Sequence, residues 1–365
     1  MTQELSRRKV LSGISSGALV SISSETVGAI NPSDGVEQKW VQSLKDEGVS
    51  PPTIGDGTVF VGVDSRLMKL GGRGRIIWNA DLDTGLISNK PTLHRDDIFV
   101  SSYTGVGAIH RGTGEVVWRT ETGDGGHSTP AVSDESVYVT RGRNDHHDEK
   151  AKVLSLEGKD GSIEWTNELK GNSWSSPAIG DAVYVGDTSG RLYAFDPLTG
   201  DEVWTCHLGQ PITGSALVDD SKIYVAGQDE KMFCVSETGN VLWSGQAGQP
   251  IAGTKPVQSK GLVYLGHRKG VHAFDPESGN RIWKDRTEGT ATSPSVQGKS
   301  VIYGLSTGVA VSADRRTGDR QWEVEFPGFR RLDMVFKGIR RTPSSGNGKV
   351  YIMVDGGRLY KIGDQ

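Results

Sequence analysis

The chain has 365 residues with 41 Lys and Arg against 45 Asp and Glu, a net charge of −4, so it is not built as a whole to hold nucleic acid or another polyanion. No stretch approaches the roughly 18 consecutive apolar residues of a membrane-crossing helix, and two cysteines, Cys206 and Cys234, define no disulfide framework. Fifty glycines and nine tryptophans point instead to many turns and a recurring aromatic position, the composition of an all-β protein.

In chain order, residues 1–29 come first. Arg7-Arg8 precedes a mildly apolar, serine-rich run, and Val27-Gly28-Ala29 supplies small residues suited to cleavage. This order predicts a twin-arginine export signal ending at Ala29, and hence a periplasmic, extracellular or cell-surface protein. No cysteine follows the run, so a lipid anchor there is not expected.

From residue 37 to 365 the chain is a repeat. Trp78, Trp118, Trp165, Trp204, Trp243, Trp283 and Trp322 each follow a glycine by four residues, at spacings of 40, 47, 39, 39, 40 and 39. The fourth copy shows the unit most clearly: strands are predicted over 175–179, 182–186, 191–196 and 202–206, each short, β-branched or aromatic, and bounded by Gly, Asp or Pro. The second strand recurs eight times as an aliphatic–aromatic pair, from Val59-Phe60 through Ile302-Tyr303 to Val350-Tyr351. Four strands in about 40 residues is the arithmetic of a β-propeller blade.

The turn before each Trp needs glycine for its positive φ, and Asp196, Asp275 and Asp314 are placed to bond nearby amides and fix it. The Trp then packs against the neighbouring blade and is structural, not a reactive site. The eighth repeat, 342–362, stops before its fourth strand, while Trp40 stands 38 residues before Trp78 with no first three strands of its own. Residues 37–43 are therefore predicted to complete the last blade, giving a monomeric eight-bladed ring with no open edge.

Residues 176–204 resemble the pyrroloquinoline-quinone (PQQ) type propeller repeat almost throughout, and weaker copies run from 51 to 362. Two branches share the repeat: quinoprotein dehydrogenases, with the quinone on the ring axis, and the non-enzymatic outer-membrane assembly factors of the BamB type. The resemblance implies the fold. It also implies either an exported scaffold that binds protein partners at the envelope or, alternatively, a sugar or alcohol dehydrogenase holding PQQ with calcium. The chain is shorter than the dehydrogenases, carries no adjacent cysteine pair, and offers no Glu, Asn and Asp set that matches their calcium ligands or base. The scaffold reading leads, with no catalytic residue and no cofactor assigned.

Three features map to the face shared by the fourth-to-first and second-to-third strand loops. A polar insertion, 141–150, carries Asp145, His146, His147 and Asp148, but adjacent histidines chelate poorly and no metal is expected. The link 326–341 mixes Arg330, Arg331, Lys337, Arg340 and Arg341 with Phe329 and Phe336, a partner-binding surface in composition. Aligning the first strands on their Ser-Pro dipeptide places His127, Trp174, Thr213, Thr254, Thr292 and Arg341 near the axis. Trp174 is the tryptophan that the repeat does not explain. Cys206 and Cys234 fall on adjacent blades, and the sequence leaves their pairing open.

Overall fold

The computed structural model describes residues 31–32, 36–44, 49–142, 150–250, 253–331, 334–336 and 338–364. Among them there is no helix; the strands form eight antiparallel blades, seven with four strands in chain order at 53–81, 92–121, 131–168, 178–207, 217–246, 257–286 and 295–325, and an eighth with three at 344–364. Blade 4 has strands Ala178–Ile179, Val183–Gly186, Arg191–Phe195 and Glu202–His207, within a few residues of expectation. First strands neighbour one another around the whole ring, blade 8 returning to blade 1, so the ring is closed.

The fourth strand of blade 8 is Val36–Ser43, which pairs antiparallel with Arg358–Asp364 from Val36↔Asp364 to Ser43↔Arg358. The strand predicted from Trp40 thus joins the two ends of the ring. Just before it, Asn31–Pro32 adds a fifth strand to blade 7 alongside Val324 and Glu325, which the repeat does not foretell.

Every blade Trp except Trp322 lies over the third-to-fourth turn of the next blade, and that turn's glycine makes the contact possible. A Cβ on Gly200 would fall 2.7 Å from the Trp165 ring, and one on Gly239 would fall 2.9 Å from Trp204. Gly200 also sits at φ +76°, where an L side chain is strained. The contact has a polar end: the indole N–H of Trp165 donates to Pro197 O at 3.0 Å, that of Trp118 to Gly158 O at 2.9 Å, and that of Trp283 to Arg315 O at 3.0 Å. Every third-to-fourth strand pairing shifts register beside the Trp, a bulge that turns the ring toward the next blade. The turn itself is fixed as expected: Asp196 accepts from the amides of Leu198 and Thr199, both at 2.9 Å, which lowers its carboxyl pKa.

Two expectations are corrected or settled. In blade 7 the register runs Ser295↔Ile302, so Ile302, not Tyr303, takes the place held by Tyr184 in blade 4. A one-residue offset puts Tyr303 on the opposite face. There its hydroxyl donates to Asp285 of blade 6, which also accepts from Arg320 Nε at 2.9 Å. Cys206 and Cys234 are free thiols, and burial pushes Cys234 up to about 11.

Candidate functional site

The first strands begin at the ring axis, and their starts enclose a cavity of about 710 Å³, within the usual size of ligand pockets. One position per blade, two residues before the first strand's pairing with the second-strand aromatic position, lines it. Six of these eight are neutral: Pro51, Thr129, Ser176, Ser215, Ser293 and Thr342. The other two are Lys90 of blade 2 and Lys255 of blade 6. Blades four apart in a ring of eight stand opposite each other, so the two lysines face across the axis.

Arg340 and Arg341 also line the cavity, while no Asp or Glu does among the described residues. Arg340 Nε is 3.1 Å from the Asp355 carboxylate, which lies outside the lining; burial lowers the pKa of Arg341, and the Asp355 charge opposes that only in part. Surrounding protein lowers the pKa of Lys90, and the charge of Lys255 lowers it further. Lys255 is lowered by the same enclosure. Its side chain is nonetheless open to water through the cavity, so these amines are enclosed but wet.

Trp174 lies at the rim, 50% exposed. Its backbone is fixed on both sides. Gly171 N–H donates to the buried Asp187 carboxylate at 2.7 Å, Asn172 N–H to Thr188 Oγ1 at 2.9 Å, and Ser173 Oγ to Gly186 O at 2.8 Å. On the far side Ser175 O accepts from Thr140 Oγ1 at 2.7 Å, and Ser176 N–H donates to Ser215 Oγ at 2.9 Å. Asp187 receives four further donors, Ser189 N–H, Ser189 Oγ and Tyr193 Oη within 2.9 Å and Arg191 N–H at 3.2 Å. A half-exposed indole on so constrained a segment is presented at little entropic cost.

The structure brings Trp174, Thr254, Thr292 and Arg341 to this cavity but keeps His127 and Thr213 off its lining. The imidazole of His127 turns into the junction of blades 2 and 3, with Nδ1 on Ser102 O at 2.8 Å and Nε2 on Thr122 Oγ1 at 2.5 Å. Burial among these groups depresses its pKa to about 4. Thr213 is 1% exposed and outside the lining. Of the basic–aromatic link, Phe329–Arg331 pairs with Met334–Phe336 as a short hairpin. Its side chains, and Lys337, lie outside the described residues, as do Asp145, His146, His147 and Asp148. Among the described residues no group of three or more His, Cys, Asp or Glu is placed to hold a metal ion.

Sequence reading missed Lys90 and Lys255. Both directly precede a first-strand proline, Pro91 and Pro256, so the signal was present. Alignment on Ser-Pro passed over Lys-Pro.

Comparison with known proteins agrees with this architecture. A family model described as "Outer membrane protein assembly factor BamB" matches residues 63–217 and 189–365. Curated relatives of that name include one from Legionella pneumophila (strain Paris), 27% identical over 198 residues, spanning 50% of this chain and 49% of the relative. Another, from Moranella endobia (strain PCIT), is 25% identical over 237 residues, spanning 60% and 58%. The chain thus spans about half the length of the curated relatives it matches. The crystal structure of BamB from Moraxella catarrhalis superposes with TM-score 0.69 at 17% identity, over 90% of this chain and 98% of that one. Quinohemoprotein alcohol dehydrogenase from Comamonas testosteroni gives 0.71 at 15%, over 90% and 76%. These superpositions establish the shared fold alone. With the family model matching across blades 1 to 8, the chain belongs to the family described as outer membrane protein assembly factor BamB.

Proposed function

We propose that this chain is an exported, non-enzymatic propeller scaffold that binds a protein partner at the cell envelope or surface through the mouth of its axial cavity. The observation that carries the reading is Trp174, a half-exposed indole held on a pinned segment at the rim of an open cavity. Such aromatic anchors dominate protein interfaces. The names of the curated relatives support the envelope setting, and Arg7-Arg8 supports export by the twin-arginine route. Arg340 and Arg341 in the lining add basic side chains to the same mouth.

The structural likeness to a quinohemoprotein dehydrogenase keeps a second reading in view, with PQQ and calcium on the axis. Calcium takes six to eight oxygen ligands, carboxylates prominent among them. Among the described residues the axial lining offers no carboxylate and four cations instead, so the residues present do not fit the calcium-loaded group. The test places a photocrosslinking residue at position 174 in the host, with a control at Leu198, which is 76% exposed in a third-to-fourth turn. A discrete protein adduct at 174 alone is expected. Equal adducts at both positions, or none at 174, would discard the reading. Stoichiometric binding of PQQ and Ca²⁺ with dye-linked turnover would replace it with the dehydrogenase.

A further inference from the structure

We infer that the partner enters the axial cavity with a carboxylate-bearing, extended segment whose acidic groups sit between Lys90 and Lys255; this rests on the scaffold reading above. The repeat puts eight equivalent positions around the axis, and where six keep Pro, Ser or Thr, blades 2 and 6 place lysines opposite each other. Neither amine has an ion-pair or hydrogen-bond partner among the described residues. Two cations that face one axis without a counter-ion repel each other, which disfavours the unliganded ring. A carboxylate on the axis supplies charge-assisted bonds to both at once.

The charge pattern favours a chain over a compact ion. Arg341 adds a half-buried cation to the same lining, and Arg340 carries the positive surface outward, its side chain 73% exposed at the rim. Trp174 lines the same cavity on the link into blade 4, across the ring from Arg340 and Arg341 on the link into blade 8. Cations that continue from the axis to the rim suit a ligand with acidic groups at intervals, and a ring of Ser, Thr and Pro leaves room for its backbone. Arg340 is shared with Asp355, so the lysine pair, not the rim, sets the preference for an acidic ligand.

The test is calorimetric titration of the purified full chain with a synthetic hexaglutamate peptide at low salt, with hexalysine and free citrate alongside. Hexaglutamate is expected to bind, hexalysine not, and citrate more weakly than hexaglutamate. Lys90→Met and Lys255→Met are each expected to weaken hexaglutamate binding roughly tenfold and to reduce its salt dependence. Lys90→Gln and Lys255→Gln repeat the measurement with polar replacements, and thermal melts confirm that each variant is folded. NMR of the lysine side chains adds a reading that a packing role would not give: both amine pKa values rise when hexaglutamate binds. Failure to bind, or equal binding by the double Met variant, overturns the inference. Tighter binding of citrate overturns the peptide assignment. A crosslink at position 174 that survives Lys90→Met with Lys255→Met keeps the scaffold and removes this inference alone.

Discussion

At the outer rim of the ring, eight equivalent positions carry one residue type: Trp40, Trp78, Trp118, Trp165, Trp204, Trp243, Trp283 and Trp322. At the inner rim, eight equivalent positions carry Pro, Lys, Thr or Ser. Apart from Trp322 at the closing seam, the outer residue meets the turn glycine of the next blade, so its shape is dictated. The inner residues meet no common neighbour: Ser215 and Ser293 accept from the amides of Ser176 and Lys255, while the amines of Lys90 and Lys255 face the cavity. In a repeat protein, sameness therefore reports packing, and departures from it report what a particular chain binds.

The largest expected effect breaks the outer ring. Trp165→Ala removes an indole that is 8% exposed and should cost about 3–5 kcal/mol in urea unfolding. Trp322→Ala should cost less. Blade 8 takes its fourth strand from the chain's start and so has no third-to-fourth turn for Trp322 to cover. That seam keeps a cavity of about 180 Å³ lined by Trp322, Ile302, Val350 and Ile362. Equal losses at the two positions would remove the distinction between this seam and the others.

Acid should come next. His127 has an ordinary pKa of 6.5 when unfolded and about 4 when folded, so below 6.5 the unfolded chain binds the extra proton. Stability is full above pH 6.5 and falls as pH drops toward 4, by on the order of 3 kcal/mol for this one imidazole. His267 and His272, depressed to about 4 and about 3 by burial, act in the same direction. A flat profile of urea midpoint against pH across that window would contradict the buried, neutral imidazoles.

A smaller effect separates packing from backbone strain. Gly200→Ala meets both a positive φ and the Trp165 ring, and should cost about 1–3 kcal/mol. Gly209→Ala has the same φ of +76° but nothing within 4 Å, so it should cost only the strain, about 1 kcal/mol. The smallest effect has the opposite sign. Lys90→Met should slightly raise the melting temperature at neutral pH, because it removes an enclosed cation that Lys255 repels. A fall would mean that Lys90 packs the inner ring and is not poised for a ligand.

The blades, their strands and the closing role of Trp40 were legible because each is written in a short, repeated pattern. The register of blade 7 was not. Val301-Ile302-Tyr303 offers an aliphatic–aromatic pair in either alignment, and the partner that selects one, Asp285 with Arg320, comes from other strands. Nor did spacing tell His127 from Thr254: both fall near a first-strand start, but hydrogen bonds to Ser102 and Thr122 draw the imidazole away from the axis. Half of the candidate site was thus foreseen, in Trp174 and Arg341, and its lysine pair was not.

By itself the sequence determined the number of blades, the residue that locks each to the next, and the way the chain ends meet, since periodic side chains bury their apolar area in only one arrangement. Tertiary structure alone decided that Lys90 and Lys255, 165 residues apart, oppose each other across the axis, and that no carboxylate among the described residues lines the cavity with them. Ring closure brings distant positions to a common axis, and electrostatics depends on that distance, which no local pattern records.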